Sequence, residues 1–206
     1  MSHSELSEQE LLRRESLQKL RDLGIDPYPA ALYPVDAFAA DIKAQFEDGK
    51  QVCLAGRMLS QRIMGKASFA EIQDASGRIQ VYFNRDELCP GEDKTLYNEV
   101  FKKLLDLGDF IGVRGVVFKT QVGEISVHVT EFQLLSKSLR PLPLPKTDAT
   151  GVVHDAFTDP ELRYRQRYVD LVVNRKVKDV FIKRTKLFNA MRAFFNRAGY
   201  MEVETP

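Results

Sequence analysis

Ala67-Ser68-Phe69-Ala70-Glu71-Ile72-Gln73-Asp74-Ala75-Ser76-Gly77-Arg78-Ile79-Gln80-Val81-Tyr82-Phe83-Asn84 is the stretch whose reading decides the fold. Its second half alternates strictly. Ile79, Val81 and Phe83 fall on one side of an extended chain, and Arg78, Gln80 and Tyr82 on the other. In the first half Ala70 and Ile72 share one side, while Phe69 shares the other with Glu71 and Gln73. Asp74-Ala75-Ser76-Gly77 between them is a turn signal. Two strands and a short polar turn make a hairpin with one apolar and one polar face.

Outward from this hairpin the pattern persists. Upstream, Val52, Leu54, Gly56 and Met58 alternate with Cys53, Ala55 and Arg57, which predicts a preceding strand. Downstream, Asp93 to Asp106 places Leu96, Val100, Phe101, Leu104 and Leu105 on one helical stripe, which Gly108 ends. Phe110 to Thr120 and Ile125 to Leu135 predict two more strands joined near Gly123. Three strands, a helix and two strands form the OB arrangement, a five-stranded barrel. The fold class is mainly β with flanking helices, and the barrel spans residues 51–136.

Residues 1–50 read as a helical extension. Ser7 and Glu10 form a capping-box pattern, Leu12, Leu20 and Leu23 follow at roughly helical spacing, and Gly24 stops the helix. Three prolines between Ile25 and Pro34 forbid regular helix there. Asp36 is the expected cap of a second short helix carrying Phe38, Ile42 and Phe46 on one face, closed by Asp48-Gly49. Residues 137–158 hold Pro141, Pro143 and Pro145 and read as a linker. Asp159-Pro160 opens a basic helix, Leu162 to Asn174, and a second helix runs from Val177 to Ala198. Val180, Phe181, Leu187, Met191, Phe194 and Phe195 give that helix an apolar surface with no layer to cover it, so residues 159–206 read as the truncated start of a further domain.

Composition narrows the function. Of 206 residues, 44% are hydrophobic and 29% charged, which suits a packed core rather than disorder. No apolar run approaches the roughly 20 residues that span a bilayer. The polar, acidic N-terminus lacks the marks of a secretory signal, so a cytoplasmic protein is expected. Cys53 and Cys89 have no histidine pair beside them, and no metal site is expected. Net charge is +1, but residues 161–206 hold eleven Lys or Arg against five Asp or Glu. The first 160 residues are therefore acidic, and nucleic acid bound there would need a local patch with specific base contacts. His3, His128 and His154 suggest no catalytic pairing, no Gly-rich phosphate loop is present, and no catalytic residue is expected.

Phe69 is the residue of interest on the hairpin. OB barrels bind oligonucleotides across strands two and three, and an outward ring there can stack an unpaired base. The alternation alone leaves a second reading open, a core phenylalanine displaced by a register slip of one residue. Gln80 sits beside it, and its carboxamide offers the donor and acceptor that complement a uracil edge. Arg62, Lys66 and Arg78 surround these two and can meet phosphates or bases.

Longer runs carry a resemblance. Arg62-Ile63-Met64-Gly65-Lys66-Ala67-Ser68-Phe69, Gln73-Asp74 and Gly77-Arg78-Ile79-Gln80 resemble the anticodon-binding barrel of bacterial-type class II lysyl-tRNA synthetases. The likeness continues through Gly108-Asp109, Phe118-Lys119-Thr120-Gln121, Gly123-Glu124-Ile125-Ser126, Leu139-Arg140-Pro141-Leu142-Pro143 and Arg163-Tyr164-Arg165-Gln166-Arg167-Tyr168-Val169-Asp170-Leu171. Gly199-Tyr200-Met201-Glu202-Val203-Glu204-Thr205-Pro206 resembles the end of class II motif 1.

The resemblance implies roles. Phe69 would stack on the central anticodon uridine, Gln80 would read its edge, Glu124 would help fix the anticodon bases and Arg62 would lie at the same site. Pro206 would belong to a motif 1 dimer interface. Residues 159–206 would open an α+β class II catalytic domain whose complete form uses ATP and Mg²⁺ to join L-lysine to tRNA(Lys), as a homodimer and away from membranes. Motifs 2 and 3 are not in this sequence, so it is expected to bind neither cofactor and to be inactive by itself. Aspartyl and asparaginyl relatives share the barrel, the Phe and the Gln. The stretch from Phe118 to Ser126 and the Arg-Tyr-Arg-Gln-Arg-Tyr run favour lysine. A stand-alone RNA-binding barrel is the remaining alternative.

Overall fold

The computed structural model describes residues 6–147, 153–154 and 157–204. The chain divides into two compact units, Met1–Pro141 and Leu142–Pro206.

In the first unit, strands β1 (Gln51–Met64), β2 (Ala67–Gln73), β3 (Arg78–Asn84), β4 (Phe110–Lys119) and β5 (Ile125–Ser136) close into a barrel in the order β1-β2-β3-β5-β4. All neighbours are antiparallel except β3 and β5, which run parallel from Gln80↔Ser126 to Phe83↔Val129. The hairpin has the expected bounds and faces. Ser68, Ala70 and Ile72 on β2 and Ile79, Val81 and Phe83 on β3 are buried. Strand β1 is longer than its alternation suggested. A bulge between Met58 and Ser60 buries Met58 and Leu59 in succession, which breaks the period that marks a strand. Gly115 also marks an irregular step, between β4 and β5. A Cβ there would lie 2.1 Å from the His128 carbonyl oxygen, so only glycine fits this close approach.

Between β3 and β4 run a short helix, α3 (Arg85–Leu88), and α4 (Leu96–Leu104), which is wound with i→i−5 bonds such as Leu105 N–H to the Val100 carbonyl. Tyr97, Val100, Phe101 and Leu104 of α4 join the barrel core, with the Phe101 ring 4.1 Å from that of Phe83. Each such fully buried large side chain contributes about 1.5–3 kcal/mol.

Helix α1 (Glu8–Asp22) carries the expected capping box, with Gly24 at φ +75° beyond its end. Arg13 on α1 donates to the carbonyls of Leu107 and Ser138. Beside it the fully buried Lys137 ammonium lies between Asp106 and Asp109. Helix α2 is shorter than expected, Ala39–Ala44, and Asp36 does not cap it. The Asp36 carboxylate instead accepts from Cys53 N–H, while the Asp36 N–H donates to the Cys53 carbonyl. Ile42 is buried, but Phe38 and Phe46 are exposed, so the proposed three-residue apolar face does not form.

In the second unit, β6 (Lys146–Thr147) pairs with β7 (Val153–His154), which puts a small antiparallel bridge in a stretch expected to be irregular. Asp159 accepts from Leu162 N–H and caps α5 (Pro160–Arg165) as expected. The single basic helix expected from Leu162 to Asn174 is broken at Gln166, and α6 (Arg167–Val173) follows. The fully buried Asp170 gathers Arg163, Arg167 and Asn174, and their convergence on one carboxylate accompanies the break. Helix α7 (Arg175–Arg197) has no buried residue, and Val180, Leu187, Met191, Phe194 and Phe195 are exposed. Pro206, expected at a dimer interface, lies outside the described residues.

Candidate nucleic-acid interface

An open groove of about 510 Å³ crosses the outer face of β1, β2 and β3. Ser60, Gln61, Arg62, Phe69, Ala70, Glu71, Gln80 and Glu124 line it. Arg62, Phe69, Gln80 and Glu124, the four residues singled out in the sequence, therefore meet in one place. Register explains this. Arg62 pairs with Phe69 across β1 and β2, and Glu71 pairs with Gln80 across β2 and β3. Outward positions on neighbouring strands then lie side by side.

Phe69 is half-buried, not sealed into the core. Its ring lies 5.0 Å from that of Tyr82, its cross-strand partner on β3, and the Arg62 guanidinium stands 5.4 Å from its centroid. A cation–π contact at an exposed site contributes about 0.5–1 kcal/mol, enough to bias the ring's position while a face stays accessible. The register slip that would have made Phe69 a core residue is absent.

Gln80 is also half-buried. The buried Ser126 of β5 donates its hydroxyl to Gln80 Oε1 at 2.8 Å. This fixes which end of the carboxamide faces β5, and leaves the amide donor and one carbonyl lone pair for a ligand. Gln61 Nε2 donates to the Phe101 carbonyl at 2.7 Å, anchoring the groove wall to α4.

Charges of both signs border the groove. Arg62 and Glu124 are exposed. Glu71 is paired with Arg78 at 3.3 Å, and Arg78 Nε also donates to Gln73. Glu124 is paired with Lys43 of α2 at 3.0 Å. Lys66 and Arg78 do not line the groove; Lys66 lies 3.7 Å from Asp86 instead. At the hairpin turn, burial opposes the charged form of Asp74. Hydrogen bonds from the N–H groups of Ala39, Gly77 and Ser76 and from the Ser76 hydroxyl outweigh burial and hold its pKa below the ordinary carboxylate value.

An oriented carboxamide, an accessible ring and a nearby guanidinium can recognise an unpaired base and its phosphate. Similarity to known proteins points the same way. Residues 52–135 match the family described as OB-fold nucleic acid binding domain, and residues 159–206 match that described as tRNA synthetases class II (D, K and N). A lysine–tRNA ligase of Christiangramia forsetii is 66% identical over 202 residues, covering 98% of this chain and 36% of that protein. The lysine–tRNA ligase of Porphyromonas gingivalis W83 is 63% identical over 211 residues, covering 100% and 36%.

The chain belongs to the class II lysyl-tRNA synthetase family.

A more distant synthetase, the lysine–tRNA ligase of Thermoanaerobacter sp., is 49% identical over 204 residues, covering 98% of the chain and 38% of that relative. The chain thus spans little more than a third of the length of the curated relatives it matches. Within this synthetase-family barrel the sequence reading missed three groove-side residues. Ser126 was hidden because its partner Gln80 is 46 positions away, and Lys43 because Glu124 is 81 positions away. Glu71 carried a legible signal, since it shares the outward face with Phe69. Among the described residues no group of three or more His, Cys, Asp or Glu could hold a metal ion, and no helix is long and apolar enough to cross a membrane.

Proposed function

We propose that residues 51–136 read the anticodon loop of tRNA(Lys), and that the protein to which the chain belongs joins lysine to that tRNA. The observation that carries the proposal is the meeting of Arg62, Phe69, Gln80 and Glu124 in one open groove. Phe69 stacks on the central uridine. Gln80, held by Ser126, meets its pairing edge. Arg62 contacts a neighbouring phosphate or base, and Glu124 selects the adjoining bases.

The proposed organisation is an extension at residues 1–50, the barrel at 51–136, a linker at 137–158 and the start of a class II catalytic domain at 159–206. In the whole protein, ATP and Mg²⁺ drive lysine activation. No catalytic step is assigned to the residues of this chain. Pairing of two subunits near Pro206 and residence in the cytoplasm with the translation machinery complete the proposal.

Titration of anticodon stem-loops carrying UUU, GUU or GUC at two salt concentrations tests it. Preference for UUU that persists at higher salt supports lysine recognition. Preference for GUU or GUC favours the asparaginyl or aspartyl reading, and equal affinity for all three, or for any single strand, favours a general RNA-binding barrel. Salt should weaken all three through the phosphate contacts alone.

A further inference from the structure

Helix α2 has six residues, too few to be stable in isolation. It is fastened at both ends to elements that flank the groove. At its start, Ala39 N–H donates to Asp74 Oδ2 at 2.7 Å and Ala40 N–H to Ser76 Oγ at 3.0 Å, both on the β2–β3 turn. Ala39 and Ile42 are buried in the barrel core. In its last turn, Lys43 Nζ meets Glu124 Oε1 at 3.0 Å. Glu124 stands just ahead of β5, where its backbone is fixed: its N–H donates to Thr120 Oγ1, and its carbonyl accepts from Thr120 N–H. One short helix thus spans from the hairpin that carries Phe69 and Gln80 to the connection that carries Glu124.

We infer that Lys43 is a positioning residue for RNA recognition, holding the Glu124 carboxylate at the groove and offsetting its charge as phosphates approach. This rests on the proposed role of the barrel. The pair is solvent-exposed, so its contribution to folding is small. Its effect on binding is larger in kind. A free glutamate side chain must be ordered when RNA arrives, and an unpaired carboxylate repels the backbone. Lys43 removes both costs before the RNA binds. A residue outside the barrel therefore sets the selectivity of a residue inside the groove.

A double-mutant cycle on the 206-residue chain tests this, using Lys43→Met, Glu124→Gln and the pair together. The readout is affinity for the UUU stem-loop and its ratio to a loop changed at one flanking anticodon base. Lys43→Met should weaken UUU binding about two- to tenfold, on the scale of ordering one long side chain, and lower the ratio. In the Glu124→Gln background it should change neither, and Lys43→Arg should restore both. A loss of equal size in both backgrounds would mean that Lys43 touches the RNA itself and would overturn the inference, as would no loss on Lys43→Met. If the unmodified chain does not prefer UUU, the anticodon reading fails, and the role of Lys43 falls with it.

Discussion

Ser126 reaches from β5 to donate its hydroxyl to Oε1 of Gln80 on β3, 2.8 Å away. The two residues face each other in the parallel ladder that closes the barrel. The contact gives an amide that would otherwise rotate freely a fixed sense. Ser126→Ala should therefore leave the barrel intact but loosen Gln80. Stem-loop affinity should fall by about 0.5–1.5 kcal/mol, the contribution of one such hydrogen bond. The preference for uridine over cytidine at the central position should fall with it. Isothermal titration with the two loops measures both quantities, and an unchanged uridine preference would show that Ser126 does not orient Gln80.

Asp74 joins the hairpin turn to the start of α2. Its folded pKa is depressed, because the hydrogen bonds from Ala39, Ser76 and Gly77 outweigh burial. The stability it contributes is therefore present above the unfolded value of about 3.9, and is lost as pH falls through the lower folded value. Asp74→Ala should cost about 1–2 kcal/mol at neutral pH, as for loss of a helix cap. Urea denaturation of both proteins across pH should show the two curves converging below pH ~4. A gap that stays constant into acid would contradict the assignment.

Lys137 is the counter-ion of a fully buried carboxylate, Asp109. Burial pushes Asp109 towards its neutral form, and Lys137 opposes this. Lys137→Met would leave the carboxylate uncompensated, and unfolding free energy should drop by about 3–5 kcal/mol. Chemical denaturation at neutral pH measures the loss. A cost within that of an ordinary surface substitution would mean that the ion cluster does not brace the barrel end.

Much of this architecture was legible in the sequence because its signals are local. The alternation in β2 and β3 marked their faces and put Gln80 outward, while Phe69 needed the observed register opposite Tyr82 to exclude a core position. The helix α1 and its box needed only Ser7, Glu10 and Gly24. What was not legible depends on distant partners. Asp36 looked like a cap for α2, but the cap comes from Asp74 and Ser76, more than thirty positions away. The basic run after Leu162 looked like one helix, but it breaks at Gln166, and three side chains converge on Asp170 in the helical turn that follows. The far half of β1 lost its alternation at the Met58 bulge, so its reach to Met64 could not be seen. Arg62 drew attention by its place near Phe69 and Glu124 only by resemblance to a family, and folding brings both to the groove.

The Phe69 ring, half-exposed beside Arg62, is the proposed platform for an RNA base. Fluorescence anisotropy of a labelled UUU stem-loop, titrated with the unmodified chain and with Phe69→Ala, tests it most directly when thermal unfolding of both proteins is recorded alongside. Phe69→Ala should lose about 1–3 kcal/mol in binding with an unchanged unfolding midpoint. Unchanged affinity, or a variant whose barrel melts well below the parent, would contradict it.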